Sequence, residues 1–421
     1  MPPDGETLRA WRRSRGWDVP EMARQLRRAA HGSGQQVAAP GGLIRMIYAW
    51  ERGDHAVSER YGLLYGRVMS GAGEPGRREP QEDGVPRRDF VALAAGVISL
   101  LDVLRASPGL PARLSAAVDG RASVDAETAA GLAQVMDGYR RIYQSAGAAS
   151  LLEPVCGTFS LLGELAPAAG AWRDLLVSLI GQASSLTATM LMLDGNDQAA
   201  AARYLTIAAR AAQQAGDDEL MAIIYAARAF HSAYGGDPLD GLAYARQAVS
   251  IASRGDVHPR TRGWVCAVES EMHATTGDET SFRRALDIAE DQLAGPMPDE
   301  PWKGIGAFSL AKLTAYRGGG LMRLGRYPDA QAHLTAALGQ LDLVHAKHRC
   351  TAHVDLAAAF AADRKPDQAA HHSMAALDII ATTGHANSLR RIGRVAGMIG
   401  PSGTQASRDL ASRYLEVKAT S

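Results

Sequence analysis

The chain has 421 residues, of which 46% are hydrophobic, and its 45 basic residues balance 45 acidic ones. That length accommodates two or three domains, and abundant alanine with few β-branched runs favours helices over sheet. The three cysteines lie far apart in sequence, which argues against a disulfide framework or a paired-thiolate zinc site and favours a reducing cytoplasm. We therefore expect an all-α cytoplasmic protein.

The charge is unevenly distributed along the chain. Residues 1–60 contain ten arginines and seven acidic residues, so this segment is mildly basic while the whole chain is neutral. A basic segment attached to a neutral body is typical of a DNA-contacting domain joined to another domain. A solvated arginine-rich surface is the alternative interpretation.

The N-terminal residues predict four helices and one long loop. The second helix is expected to follow Asp18, a favoured N-cap, because Pro20 suits the first helical turn. Residues 32–42 are rich in Gly, Ser, Gln and Pro, which predicts a loop. The four predicted helices run from Thr7 to Arg15, from Asp18 to about Ala30, from Gly41 to Gly53, and from about Ser58 to Met69.

The third of these helices carries a pattern that suggests a function. Ile47 and Trp50 are three residues apart, so they share one helical face and can anchor the helix in a core. Arg45 and Tyr48 lie on another face, and Gly53 suits the helix end because it adopts positive φ easily. A short helix with an apolar seam and an outward Arg and Tyr edge suits insertion into a DNA groove.

The segments Pro20–Leu26 and Trp50–Gly53 resemble the Xre/Cro-type helix-turn-helix family. The resemblance covers residues 1–70 and implies a DNA-binding domain whose third helix enters the major groove. The loop between Ala30 and Gly42 is longer than the family's tight turn. By this resemblance the residues on the reading face are Ile44, Arg45, Tyr48 and Ala49, and the residues that contact phosphates are Arg24 and Arg52.

Residues 71–87 are charged and rich in Pro and Gly without an apolar period, which predicts a linker. The second domain is predicted to span residues 88–421, beginning with a helix at Arg88. The apolar stretch that follows, ending at Leu101, is too short to cross a bilayer, so no membrane partner is expected.

A repeat of about 40 residues follows in the second domain. Turn residues recur at Gly195, Gly236, Gly277, Gly325 and Arg364. A small residue lies seven positions before each turn, and the residues twelve positions after are Ile207, Ala248, Ala289, Ala337 and Ala376. The pattern resembles tetratricopeptide repeats over residues 170–385, with Gly325–Ala330 as the best match. This resemblance implies an α-solenoid of helical hairpins, and a generic helical bundle is the alternative.

Three charged residues recur eight positions before a turn, namely Arg228, Glu269 and Arg317. Equivalent positions on successive repeats would form a ladder along the concave surface, where they could bind a peptide or a carboxylate. Tyr225, Tyr316, Trp264 and Trp302 could provide aromatic walls for such a ligand. The alternatives are an inter-repeat ion-pair ladder and ordinary packing residues.

The sequence contains no motif for catalysis, so neither enzyme activity nor a cofactor is expected. The histidines have poor chelating spacing, so no metal site is expected either. The architecture resembles the peptide-responsive quorum-sensing regulators of Gram-positive bacteria, and the composition suggests an actinobacterium. This resemblance implies a homodimer that binds double-stranded DNA and a signal peptide. A small-molecule receptor and a tetratricopeptide scaffold with a vestigial DNA-binding head stay open as alternatives.

Overall fold

The computed structural model describes residues 5–14, 19–31, 37–38, 40–69, 110–120, 122–298, 302–306 and 308–420. All regular secondary structure within these ranges is helical. The chain divides into two compact units, residues 1–86 and 87–421, and each has its own hydrophobic core. The predicted linker and the predicted helix at Arg88 lie outside the described residues, as does the proposed cap Asp18.

The N-terminal unit contains four described helices around one core. The third helix begins at Pro40, before the predicted end of the loop at Gly42, because the fixed φ of proline suits the first helical position. The helices are α1 (Gly5–Ser14), α2 (Val19–His31), α3 (Pro40–Arg52) and α4 (Glu59–Met69). The fully buried core residues include Leu8, Met22, Leu26, Leu43, Ile47 and Leu64.

A buried ion pair connects α1 to α3 in this unit. Arg12 donates from Nε and Nη2 to the two carboxylate oxygens of Glu51, each at 2.7 Å. Both residues are less than a tenth exposed. The hydrogen bond to Glu51 raises the pKa of Arg12, so the guanidinium stays charged inside the core.

The second unit is a succession of antiparallel helices. Its described helices are α5 (Leu110–Val118), α6 (Ala126–Ile142), α7 (Ala148–Leu165), α8 (Arg173–Leu193), α9 (Gln198–Gln214), α10 (Asp218–Tyr234), α11 (Pro238–Arg254), α12 (Pro259–Thr275), α13 (Glu279–Ala294), α14 (Leu310–Arg323), α15 (Tyr327–Gln340), α16 (Ala346–Ala362), α17 (Pro366–Thr383), α18 (Ala386–Ile399) and α19 (Gln405–Thr420). From α8 to α17 the helices pack as consecutive hairpins, and neighbouring hairpins stack on each other. This packing is the tetratricopeptide-like α-solenoid expected from the repeat.

The repeat turns are built on residues with positive φ. Four of them are the predicted Gly236, Gly277, Gly325 and Arg364, and the first is Asn196 rather than Gly195. The first turn therefore ends one residue later than the spacing predicted. The residue twelve positions after Asn196 is Ala208, which is fully buried like its four equivalents, whereas Ile207 is 37% exposed.

The helix α8, with the short turn before it, spans the apolar segment Gly170–Leu193. It is the one described segment long and apolar enough to cross a bilayer, but 78% of its most apolar window is buried inside the protein. A core helix of a globular protein has the same properties, so its length and composition do not indicate a membrane span.

Candidate functional site

The helix α3 presents a mixed surface to solvent. Ile47 and Trp50 are buried in the core, as the sequence predicted. On the opposite side Arg45 is exposed and Tyr48 is 48% exposed. Ala49 is half-buried beside them. The exposed part of this helix is therefore an Arg and Tyr edge held rigidly by an aromatic anchor, since the Trp50 ring packs against the rings of α4.

The remaining predicted DNA contacts have different environments. Ile44 is half-buried and packs against the core, so only part of its side chain is available to a ligand. Arg52 is exposed at the end of α3 and pairs with Asp54 at 2.8 Å. Gly53 has φ of +80° and ends the helix, as expected. Arg24 lies on α2, but its side chain is outside the described part of the chain.

The repeat unit encloses a cavity on the concave side of the solenoid. About 200 Å³ of it is accessible to water-sized molecules. The described lining comes from the even-numbered helices α6 to α18 and from residues 302–305 in the connection between α13 and α14. Helices far apart in sequence therefore contribute to one site, which is the geometry in which solenoids bind ligands.

Three of the predicted aromatic residues meet at this cavity. Trp264, Trp302 and Tyr316 all line it. The indole Nε1 of Trp264 lies 3.2 Å from the hydroxyl of Tyr316, and the Trp264 and Trp302 rings pack edge to face at 6.3 Å. The Nε1 of Trp302 donates to Thr261 Oγ1 at 2.6 Å. These contacts form a rigid apolar wall.

The predicted charged ladder does not line the cavity. Arg317 instead pairs with Glu290 at 2.8 Å, and Glu269 lies 3.8 Å from His273 on its own helix. The guanidinium of Arg228 stacks 5.3 Å from the ring of Tyr225, which also lies outside the cavity lining. The residue eight positions before each of these turns therefore lies outside the cavity lining, because the lining residues of the same helix lie on a neighbouring face.

The segment of residues 302–306 contributes four of its residues, 302–305, to the lining of the cavity. Lys303 Nζ contacts both carboxylate oxygens of Asp217 at 2.7 Å, and Ile305 packs on the core formed by α6 to α8. Gly306 has φ of +62°, and a side chain there would overlap Gln144. The glycine therefore allows the segment to lie against α6.

Six lysine and arginine side chains line the described part of the cavity, and five of them pair with a carboxylate. Arg323 lies 2.7 Å from Glu271, and Arg391 contacts Asp355. The other three pairs are Arg140 with Asp137, Lys303 with Asp217, and Lys347 with Asp194. These pairs neutralise the charge that burial would otherwise make costly.

The pair of Lys347 and Asp194 is the most deeply buried of the five. Burial raises the pKa of Asp194 and lowers that of Lys347, although each partner opposes the shift of the other. The Lys347 ammonium also lies 3.5 Å above the ring of Tyr143, which adds a cation–π contact. This pair connects α16 to the end of α8.

The sixth cation, Lys312, is an exception. It is 1% exposed, and among the residues that the structure describes its Nζ has no hydrogen-bond partner. Burial alone lowers its pKa to about 7. The nearby groups are His345 and His348, whose pKa values are also lowered, mainly by burial and further by Lys312. Sequence reasoning missed Lys312 because lysine is usually exposed, although it lies four residues before Tyr316 on the same helical face.

The chain matches no protein-family model and no curated protein. Among solved structures it is similar to a signal transduction ATPase with numerous domains (STAND) that carries a tetratricopeptide repeat sensor, from Pyrococcus horikoshii. The two share 13% sequence identity with a TM-score of 0.35, and the alignment covers 95% of this chain and 72% of that chain. Such a distant likeness carries no argument, so the assignment of helical repeats rests on the stacked hairpins of this chain itself.

Proposed function

We propose that this protein is a DNA-binding transcriptional regulator whose helical-repeat unit binds a signal and thereby controls DNA binding. The observation that carries the proposal is the geometry of α3. Ile47 and Trp50 anchor it in the core while Arg45 and Tyr48 stay exposed along one edge. An exposed arginine on such a helix can form a bidentate pair with guanine in the major groove.

The proposal includes a homodimer. A single short recognition helix contacts few base pairs, whereas two helices on paired half-sites multiply the affinity. Signal binding in the cavity would then shift the population between arrangements of the two heads that fit DNA and arrangements that do not. Such a shift requires the signal to prefer one arrangement, which links its affinity to that for DNA.

Binding of the full-length protein to DNA fragments from upstream of its own gene, measured by fluorescence anisotropy, tests the DNA-binding role. We expect sequence-preferring binding that weakens as salt increases, because contacts to phosphates release counterions. Arg45→Ala should relax the preference at one base pair. Arg24→Ala should weaken binding to all sequences alike and flatten the salt dependence.

Arg413→Ala is the matched control, since Arg413 is a surface arginine of the repeat unit that pairs with Asp378 and Glu416. It should leave DNA binding unchanged. The regulator proposal is wrong if the wild-type protein shows no sequence preference. If Arg45→Ala leaves the preference unchanged, the assignment of the reading face is wrong.

A second candidate function is a protein-interaction scaffold with a vestigial DNA-binding head. The stacked tetratricopeptide-like hairpins favour it, because such solenoids present an extended concave surface to partners. The DNA-binding measurement separates the two candidates, since only the regulator requires sequence preference.

A further inference from the structure

Among the described residues that line the cavity, one positively charged side chain lacks a carboxylate partner. Five of the six lysine and arginine side chains in its described lining contact a carboxylate, and Lys312 does not. Lys312 also lies in the first turn of α14, where the positive end of the helix dipole is unfavourable for an ammonium group. A buried ammonium without a counter-charge destabilises the fold, so its presence indicates a partner other than the residues that the structure describes.

We propose that the cavity binds a small anionic molecule whose carboxylate or phosphate group contacts Lys312 and His348, and whose flat apolar body lies against Trp264, Trp302 and Tyr316. This proposal rests on the signal-binding role proposed above and names the chemical class of the signal. It favours a small molecule over a peptide.

The surroundings of Lys312 supply further donors for an anion. The Nδ1 atoms of His345 and His348 are buried, and among the described residues neither has a hydrogen-bond partner. Besides burial, Lys312 and Asp342 shift the pKa of His345, and Lys312, His345 and His385 shift that of His348; of these groups only the exposed Asp342 is acidic. Of the two histidines His348 lines the cavity, so this end offers the nitrogens of His348 and Lys312 with little competing negative charge.

The size of the cavity limits the ligand. A cavity of roughly 150 Å³ is known to hold one benzene ring, so the 200 Å³ here accommodates a body of one or two rings with a small anionic group. The aromatic wall is adjacent, because Tyr316 lies one helical turn after Lys312 and contacts Trp264. A long peptide would require displacement of residues 302–306, which Lys303 ties to Asp217.

A neutral ligand of the same shape would leave the Lys312 ammonium without a partner. An anion would instead form charge-assisted hydrogen bonds in a site of low dielectric, where they are stronger than in water. The bound anion would also raise the pKa of Lys312 from about 7. Binding at a pH above that value should therefore be accompanied by uptake of a proton.

Isothermal titration of the full-length protein with naphthoate, naphthyl phosphate and the neutral isostere naphthamide tests the proposal. We expect at least one of the two anions to bind with a Kd of roughly 1 mM or tighter, and naphthamide to bind at least about tenfold more weakly. Which anion binds more tightly distinguishes a carboxylate ligand from a phosphate ligand. Titration near pH 8 in two buffers of different ionisation enthalpy should reveal proton uptake of up to about one per ligand.

The variant Lys312→Met should lose at least about tenfold in anion affinity, bind the amide and the anions alike, and show no proton uptake. It removes an unfavourable buried charge, so we expect it to fold. Lys418→Met is the control because Lys418 is exposed on α19, and it should bind like the wild type. The proposal is overturned if neither anion binds, if the amide binds as tightly, or if Lys312→Met binds unchanged.

These outcomes are independent of the DNA-binding measurement. If naphthoate binds through Lys312 but the DNA affinity does not respond to it, the ligand class is supported and the regulatory role is wrong. If DNA binding is sequence-specific but no anionic probe binds, the proposed ligand class is wrong and the regulator stays supported.

Discussion

The two units of this protein treat a buried cation in opposite ways. In the N-terminal unit Arg12 lies within 2.7 Å of both oxygens of Glu51, so the charge is matched inside the core. In the repeat unit Lys312 is more deeply buried than Arg12, but among the described residues its ammonium has no hydrogen-bond partner. The first arrangement is that of a residue that supports the fold, and the second is the arrangement expected if Lys312 binds a ligand, as we propose.

The difference shows that burial of a charge is informative only together with its partners. The cavity contains five other cations that are paired as Arg12 is, and a count of basic residues would not separate them from Lys312. If pairing with a carboxylate decides the effect of a buried cation on stability, breaking a pair should destabilise the protein and removing Lys312 should stabilise it.

The largest effect is expected for Glu51→Ala. The substitution removes the carboxylate that Arg12 contacts in the core, and such a loss destabilises by about 3–5 kcal/mol. Hydrogen exchange of the backbone amides of α1 to α3 in the full-length protein measures the change in local opening free energy.

The control for this prediction is Asp54→Ala, which breaks the exposed pair with Arg52. It should change the opening free energy by less than about 1 kcal/mol, because solvent already screens an exposed pair. Equal effects of the two substitutions would contradict the distinction between the buried pair and the exposed one.

For Lys312→Met we expect a gain in the free energy of unfolding rather than a loss. Folding lowers the pKa of Lys312 from its usual 10.5 to about 7, so below pH 7 the lysine is charged in both states and its burial is fully unfavourable. Between those values the unfolded chain binds more protons than the folded one, and the penalty declines as the pH rises. The free energy of unfolding of the variant should therefore exceed that of the wild type by on the order of 2–4 kcal/mol near pH 6, and the two should not differ above pH 10.5.

Urea denaturation of both proteins at several pH values measures this difference. His345 and His348 lie beside Lys312, which lowers their pKa values, so the wild-type curve minus the variant curve contains the lysine together with its effect on these two histidines. A variant less stable than the wild type at low pH would show that Lys312 has a partner in the folded protein.

Removal of a paired cation of the cavity should destabilise the protein, as breaking the pair of Arg12 and Glu51 should. Arg323→Met leaves Glu271, whose side chain is 13% exposed, without the guanidinium that lies 2.7 Å away. We expect a loss of roughly 1–3 kcal/mol in the free energy of unfolding, less than for Glu51→Ala because this pair is more accessible to water. Urea denaturation near pH 7 measures it, and a gain in stability would contradict the proposed role of pairing.

The sequence predicted the helical class, the repeat and the core seam of α3, because each depends on local spacing along the chain. It did not predict Lys312, because an unpaired state depends on what six other helices bring to the cavity. The ladder of Arg228, Glu269 and Arg317 was expected on the concave surface because equivalent repeat positions stack. These residues do not belong to the cavity lining, since one residue along a helix changes the side-chain direction by about 100°.

The smallest effect on stability is expected for a substitution that tests the register of the first repeat. Aligning on Gly195 made Ile207 the equivalent of the buried alanines, whereas the turn at Asn196 assigns that role to Ala208. Ile207 is 37% exposed, so Ile207→Ala should change the free energy of unfolding by no more than about 0.5 kcal/mol. Ala208→Leu should destabilise by roughly 1–3 kcal/mol, because α9 packs closely at that position and cannot accommodate a larger side chain. Thermal unfolding of the two variants compares them directly, and the reverse order of effects would restore Gly195 as the start of the repeat.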